Sequence, residues 1–182
     1  MGLRNRYLFQ EESCFFVTTT FNQWLHLMRN HDYYVLVADS LNFVCKKYQT
    51  DLLGYVIMPN HVHLILYFTD KNRLSDLMRD FKKFTSGEIR RKLEAEQEQL
   101  LIAKLSFEHR EQKFKVWQDR FDDVCIKSKK VLETKLDYIH TNPLQAHWNL
   151  ATQPALYKYS SAGFYETGDK DLLDVVHYGA YF

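Results

Sequence analysis

The stretch that decides the fold reads LLGYVIMPNHVHLILYF and spans residues 52–68. Two apolar runs, rich in β-branched and aromatic residues, flank Pro59 and Asn60, and such runs are typical of strands. Proline fixes φ and asparagine tolerates tight geometry, so the pair predicts a short turn. The stretch therefore predicts an antiparallel hairpin with strands over 52–58 and 61–68.

Further elements flank the hairpin on both sides. Residues 15–21 are β-branched and aromatic, which predicts a strand. Residues 34–45 have helical length and place apolar side chains on one face. After the hairpin, near-3.6 spacing of apolar residues predicts a helix over 74–93. Gly87 marks a candidate break in it, because glycine weakens a helix by about 1 kcal/mol relative to alanine.

The remaining elements complete the order. Residues 123–126 form a candidate edge strand, and residues 129–141 carry an apolar stripe at helical spacing. Pro143 ends that last helix. The order β-α-β-β-α-β-α begins with six elements that match the split βαβ, or ferredoxin-like, pattern. We therefore predict an α+β fold, an antiparallel sheet with helices on one face and an added C-terminal helix.

Length and composition predict a single domain. The chain has 182 residues, a size at which one hydrophobic core is sufficient. Hydrophobic residues make up 46% and charged residues 26%, which excludes collagen-like, low-complexity and wholly disordered classes. We assign residues 1–182 to one domain, with a charged helical insertion near 88–112 and a loop-rich tail from about residue 144.

Neither export nor membrane insertion is indicated. No apolar run approaches the roughly 18 residues of a membrane helix, and the N-terminus leads into no apolar core of a signal peptide. Cys14, Cys45 and Cys125 are odd in number and far apart, so we expect reduced thiols. These observations predict a cytoplasmic protein without a membrane partner.

Charge is balanced over the whole chain but not along it. The formal net charge is +1, which does not by itself indicate a nucleic-acid binder. Between residues 71 and 92, however, basic residues clearly outnumber acidic ones. Such a surplus can serve a phosphate backbone, and it equally suits a solvated helix face.

Two histidines lie two positions apart on the third predicted strand. His61 and His63 therefore project from the same face, with Cβ atoms about 6.5–7 Å apart. At that separation two imidazoles can converge on one metal ion. We expect Val62 and its alternate neighbours to face the helices, and the histidines to occupy the other, open face of the sheet. Two histidines on a solvated sheet face would give the same pattern.

A tyrosine and an asparagine share one face of the last predicted helix. Tyr138 lies off the apolar stripe of Leu132, Leu136 and Ile139, and Asn142 follows one turn later. A free phenol is a weak nucleophile, but a metal ion can stabilise the charge that develops on phosphate oxygens. A tyrosine near a metal ion therefore suits phosphoryl transfer. Taken alone, the tyrosine equally suits an amphipathic packing residue.

Four motifs in order resemble those of one family. They read YVIMPNHVHLI at 55–65, VWQDRFDD at 116–123, LDYIHTNPL at 136–144 and YKYSSA at 157–162. Each is similar to a motif of the HUH single-tyrosine transposases, specifically the insertion-sequence-200-like and REP-associated tyrosine transposases. The resemblance extends over most of the chain, roughly residues 15–164, and implies a ferredoxin-like palm.

The resemblance also implies a chemistry. His61 and His63 would be the metal-binding pair, with Mg²⁺ or Mn²⁺ as the working ion, and Asn142 would occupy the position of a third polar ligand. Tyr138 would be the nucleophile, carried by the added helix, that attacks a phosphodiester of single-stranded DNA. The products would be a 5′-phosphotyrosine and a free 3′-hydroxyl, so that cleavage and rejoining need no ATP.

Relatives recognise hairpin DNA, so the resemblance implies single-stranded DNA with hairpin structure as the partner, in the bacterial cytoplasm or nucleoid. Relatives act as homodimers, some with a site shared between subunits, whereas repeat-associated members can be monomeric. In this context the basic residues become candidate phosphate contacts. The candidates are Arg79, Lys82, Lys83, Arg90, Arg91 and Arg120.

Three alternatives stay open. A domesticated relative could bind DNA hairpins or repeats with little or no cutting. An unrelated metal-dependent hydrolase could use the His-x-His pair, but it would need a third histidine or carboxylate, for which His140 is the nearest candidate. A relaxase or replication-initiator nickase shares the HUH chemistry but usually belongs to a larger, multidomain chain.

Overall fold

The central element of the fold is an antiparallel sheet of four strands. The structure is a computed structural model, which describes residues 12–70, 72–109, 112–169 and 172–182. The elements in chain order are β1 (Cys14–Thr20), α1 (His31–Lys47), β2 (Thr50–Ile57), β3 (His61–Phe68), α2 (Leu74–Ala95), α3 (Gln99–Leu105), β4 (Ser106–His109), β5 (Gln112–Phe114), β6 (Asp122–Cys125), α4 (Lys129–Thr141) and α5 (Ala162–Thr167). The strand order is β2-β3-β1-β6, and every neighbouring pair is antiparallel. The predicted split βαβ arrangement is confirmed.

The hairpin forms as predicted. β3 begins at His61, and Pro59 and Asn60 lie in the turn that precedes it. The turn is closed by a hydrogen bond of 2.8 Å from the amide of Met58 to the carbonyl of His61. From there the register pairs Ile57 with Val62. Pairing shifts by one residue between Leu52 and Gly54, which is a β-bulge in β2.

Helices α1 and α2 cover one face of the sheet. Val62, Leu64 and Leu66 of β3 point to this side and are fully buried in a core that they share with both helices. The period of two along β3 explains why alternate residues join this core. The predicted orientation of these three side chains is therefore confirmed.

The other face is not open, which corrects our expectation. α4 lies across it and buries Leu132, Leu136 and Ile139 against side chains of the sheet such as Val56 and Ile65. The amphipathic pattern of α4 predicted a buried stripe, but periodicity alone does not say which surface covers it. The histidines of β3 consequently lie beneath a helix and not on a solvated face.

The tail protects the outer edge of the sheet. The amide of Ile57 donates to the carbonyl of Tyr159 at 2.8 Å, and the amide of Ser161 donates to the carbonyl of Tyr55 at 3.0 Å. Ser160 is bridged antiparallel to Val56. The YKYSSA motif thereby satisfies backbone groups of β2 that would otherwise form an exposed edge. The rest of the tail, from residue 145, is mainly irregular with short helical turns.

Two details differ from the sequence-based expectations. α2 runs through Gly87 without a break, because Phe81, Ile89 and Leu93 on either side of it are buried and hold the helix against the core. The segment 88–112 is not helical throughout: it comprises the end of α2, the short α3 and the strand β4, while residues 110 and 111 lie outside the described part. Within the described ranges, no helix combines the length and apolar content that crossing a bilayer requires.

Candidate active site

A cleft of about 450 Å³ opens where β3 begins and α4 ends. Side chains from both elements line it, namely His61 and His63 of the strand, Tyr138 of the helix and Asn142 directly after it. Residues that are distant in sequence thus meet at one end of the sheet. The structure brings together all four residues that the sequence assigned to the metal and the nucleophile.

The two histidines are held by hydrogen bonds at the same ring nitrogen. Nδ1 of His61 donates to Oδ1 of Asn60 at 2.6 Å, and Nδ1 of His63 lies 2.8 Å from Oγ1 of Thr18. Their ring centroids are 4.6 Å apart. Partners at Nδ1 fix the orientation of each imidazole and make Nε2 the candidate atom for a metal ion, which is the usual arrangement of ligating histidines. At His63 this Nε2 faces Nδ2 of Asn142 at 3.4 Å.

Burial keeps both histidines neutral. It lowers the pKa of His61 to about 4, with a smaller electrostatic contribution from His147. It lowers the pKa of His63 to about 3, with smaller contributions from His61 and Lys135. The neutral imidazole is the form that binds metal ions. The pair is therefore ready to act as ligands over the physiological pH range.

Asn142 completes the polar floor of the cleft. Its side chain is buried, and its Nδ2 lies 3.4 Å from Nε2 of His63. Its Oδ1 is buried without a hydrogen-bond partner in the described part of the chain. Asn142 keeps helical dihedral angles (φ −53°, ψ −45°) although it precedes a proline, so it continues the face of Tyr138. A buried amide oxygen without a partner is costly and suits a cation.

Tyr138 stands between this floor and solvent. Its ring centroid is 5.3 Å from that of His63 and 6.0 Å from that of Phe16, edge to face in both cases. The side chain is 42% exposed. Nζ of Lys135, one turn earlier on α4, lies 6.0 Å from the centroid of the Tyr138 ring. A large substrate can therefore reach the phenol next to a histidine and a cation.

His140 does not join the pair. Its Nε2 lies 2.8 Å from Oγ of Ser161, which also accepts a hydrogen bond of 2.9 Å from the amide of Tyr55. Burial lowers the pKa of His140 to about 4. The residue fastens α4 and the tail to β2. Among the described residues, no three His, Cys, Asp or Glu side chains form a metal-binding cluster.

The six basic candidates do not share one surface of the cleft. None of them is among the residues that line it. Nζ of Lys82 binds the carbonyl of Gln118 at 2.7 Å and that of Arg120 at 3.2 Å, so it supports the loop before β6. Lys83 and Arg120 are exposed. The other three form ion pairs: Arg79 with Asp76 and Asp80, Arg90 with Glu94, and Arg91 with Glu88.

Several cleft residues were missed by the sequence analysis. Thr18 and Asn60 orient the histidines, and Trp24 and Trp148 line the cleft wall. Asn60 could have been found, because it directly precedes His61. Thr18 could not, because its contact with His63 depends on the register between strands 45 residues apart. Lys135 could have been found from its position three residues before Tyr138 on one helix.

No curated protein matches the sequence significantly. The chain is similar to a solved REP-associated tyrosine transposase bound to a REP hairpin, with 20% identity and a TM-score of 0.64 over 91% of this chain and 86% of that one. It is also similar to a candidate transposase from Deinococcus radiodurans R1, with 15% identity and a TM-score of 0.46 over 71% of this chain and 90% of that one. The family model for the IS200-like transposases matches residues 27–142, more than half of the chain. The chain therefore belongs to the IS200-like transposase family.

Proposed function

We propose that the protein cleaves and rejoins single-stranded hairpin DNA through a covalent intermediate on Tyr138. The observation that carries this proposal is the position of the exposed Tyr138 ring, 5.3 Å from the buried ring of His63. A nucleophile open to a large substrate thereby adjoins a set of metal-ligating groups. Family membership supplies the class of reaction, DNA transposition.

The floor of the cleft fits a divalent metal ion. His61 and His63 would contribute neutral imidazole nitrogens, and Asn142 would contribute the amide oxygen that otherwise lacks a partner. Such an ion stabilises negative charge on phosphate oxygens. We propose Mg²⁺ or Mn²⁺. Two imidazoles with one oxygen favour Mn²⁺ of the two, because Mg²⁺ prefers oxygen ligands throughout.

The chain's own residues account for the transfer step. The phenolic oxygen of Tyr138 forms a bond to phosphorus while the bond from phosphorus to the 3′-oxygen breaks. The phenol loses its proton to solvent, and the 3′-oxygen takes one from solvent as it leaves as a hydroxyl, so the step is balanced overall. The 5′-phosphate stays on the tyrosine, and attack by a 3′-hydroxyl reverses the step. Lys135, whose Nζ lies 6.0 Å from the centroid of the Tyr138 ring, can attract a phosphate to this position.

Hairpin DNA is the proposed partner. The similar REP-associated tyrosine transposase was solved with a REP hairpin, which supports this substrate class for the present chain. We propose that Lys83 and Arg120, which are exposed, contact phosphates first. The second candidate function is hairpin binding without cutting. The grouping of Tyr138, His61 and His63 in one cleft supports cutting over binding alone.

A denaturing gel tests the proposal. Labelled hairpin oligonucleotides from the DNA that flanks the gene are mixed with protein and Mn²⁺. We expect a protein–DNA adduct that disappears in Tyr138→Phe and after addition of EDTA. Tyr67→Phe is the matched control, because Tyr67 lies on the same strand as His63 but toward its far end and has no place in the cleft.

Each other outcome has a distinct meaning. Tight hairpin binding without any adduct would favour the binding protein that does not cut. Cleavage that persists in Tyr138→Phe without an adduct would contradict the tyrosine mechanism and favour hydrolysis by a metal-bound water.

A further inference from the structure

One tryptophan of the cleft is exposed and held in an unusual backbone conformation. Trp24 follows β1, and its side chain is 61% exposed. Its φ is 56° and that of Gln23 is 55°, both in the left-handed region that residues other than glycine rarely adopt. Exposure of a large apolar ring contributes little to stability, and left-handed backbone costs free energy. Such a combination points to a role other than folding.

The same tryptophan is tied to the metal-binding floor. Nδ2 of Asn60 donates to the carbonyl of Trp24 at 3.5 Å, while Oδ1 of Asn60 accepts the hydrogen bond from His61. One amide therefore connects the backbone of Trp24 with the orientation of a histidine. The backbone of Trp24 is thereby held next to His61, one of the groups that would hold the scissile phosphate.

A second tryptophan lines the same cleft. The ring centroid of Trp148 lies 5.9 Å from that of His61 and 5.5 Å from that of His26. Trp148 is partly buried by these neighbours, whereas Trp24 is largely free of contacts with the core. The cleft thus has polar metal-ligating groups at its floor and two indoles on its walls.

The polar floor suits the phosphate of a nucleotide, and the two indoles suit its base. A phosphate needs positive charge, and an unpaired base offers an aromatic face that stacks on tryptophan whatever its sequence. We propose that Trp24, with Trp148 as the fixed wall, stacks on an unpaired base next to the phosphate that Tyr138 attacks. Trp24 is then a positioning residue. The inference rests on the proposed function and adds to it the residue that binds the single strand next to the cleavage point.

Abasic substrates test this proposed base clamp, which consists of Trp24 and Trp148. A series of hairpin oligonucleotides carries one abasic site at each position flanking the cleavage point. With wild-type protein, we expect one such position to weaken binding and raise KM for adduct formation by about fivefold to 150-fold, the range of one stacked base. Trp24→Ala should lose the same factor on the intact oligonucleotide and nothing further on that abasic one.

Two variants separate stacking from structure. Trp24→Phe should recover most of the lost affinity, because phenylalanine also stacks. Phe43→Ala removes an aromatic ring of similar exposure from α1, on the other side of the sheet, and should bind DNA like the wild type. Binding should also quench tryptophan fluorescence in the wild type more than in Trp24→Ala.

The failures are distinguishable. If the wild type forms the adduct and Trp24→Ala matches it on every oligonucleotide, the clamp is wrong and the proposed function stands. If Trp24→Ala loses the same factor on the intact and on every abasic oligonucleotide, the clamp is also wrong. If the wild type neither binds nor cleaves any of the oligonucleotides, both proposals are overturned.

Discussion

Nδ2 of Asn142 lies 3.4 Å from Nε2 of His63, although the two residues are 79 positions apart in the sequence. The other end of the same amide, Oδ1, is buried without a partner in the part of the chain that the structure describes. An amide in this position cannot satisfy both of its ends with protein groups. If the amide turns over, Oδ1 faces Nε2 of His63, and the two atoms can share a cation.

Asn142→Ala should therefore weaken metal binding. We expect the affinity for Mn²⁺, measured by isothermal titration calorimetry, to fall at least about tenfold, because one protein ligand is lost. Asn142→Asp keeps an oxygen ligand and should retain binding. Asn42→Ala, on α1 and outside the cleft, is the control. Unchanged Mn²⁺ affinity in Asn142→Ala would remove Asn142 from the ligand set.

Gly54 sets how closely α4 approaches the sheet. A Cβ atom there would lie 2.6 Å from Cδ2 of Leu136 and 3.2 Å from Cδ1 of Ile139. Gly54→Ala should lower the free energy of unfolding by about 1–3 kcal/mol through overpacking. It should also slow adduct formation, because α4 carries Tyr138. Urea unfolding and single-turnover cleavage measure the two effects.

Gly87→Ala is the matched control for that change. No neighbouring atom lies within 4 Å of a Cβ at this exposed helical position. The substitution should raise the free energy of unfolding by about 0.5–1 kcal/mol, because alanine favours the helix, and leave cleavage unchanged. Equal effects of the two substitutions would show that close packing of α4 is not what requires Gly54.

Stability should decrease on acidification. Burial lowers the pKa of His61 to about 4, of His63 to about 3 and of His140 to about 4, from an ordinary 6.5. The unfolded chain therefore binds more protons below pH 6.5. The contribution of these histidines is fully present above pH 6.5 and is lost as the pH falls toward 4, by at most about 1.4 kcal/mol per pH unit for each.

Urea unfolding in EDTA at pH 7.5, 6.0 and 5.0 measures this slope. His140→Gln removes one of the three groups and should flatten the dependence of the free energy of unfolding on pH. A free energy of unfolding that stays constant between pH 7.5 and 5.0 would contradict the burial of neutral histidines.

Salt dependence should distinguish the basic residues. Arg120 is exposed two residues from Gln118, which lines the cleft, whereas Arg79 is paired with Asp76 at 2.7 Å. If Arg120 neutralises a phosphate, Arg120→Ala should reduce the slope of log K against log salt by about 0.7, the value for one single-strand contact. Arg79→Ala should change this slope less than Arg120→Ala does. Equal slopes for wild type and Arg120→Ala would exclude that contact.

The sheet was predictable because its deciding signals are local. A two-residue turn between apolar runs determines the hairpin, and β3 and α4 have the predicted bounds. The sequence did not predict that α4 covers the face of the sheet that bears His61 and His63, because this depends on where α4 and the tail pack. The role of Lys82 likewise depends on a loop 36 residues away. By contrast, the pairing of Arg79 with Asp76 follows from helical spacing and could have been anticipated.

Mass spectrometry of the digested adduct tests the central claim most directly. Trypsin cuts after Lys135 and Lys158 and releases a peptide that contains Tyr138 and Tyr157. Tyr157 is buried with its hydroxyl bonded to the carbonyl of Ile57, so it serves as an internal control. We expect fragmentation to locate a 5′-phosphonucleotide on Tyr138. A nucleotide on any other residue, or cleaved DNA with no nucleotide on the protein, would contradict the account.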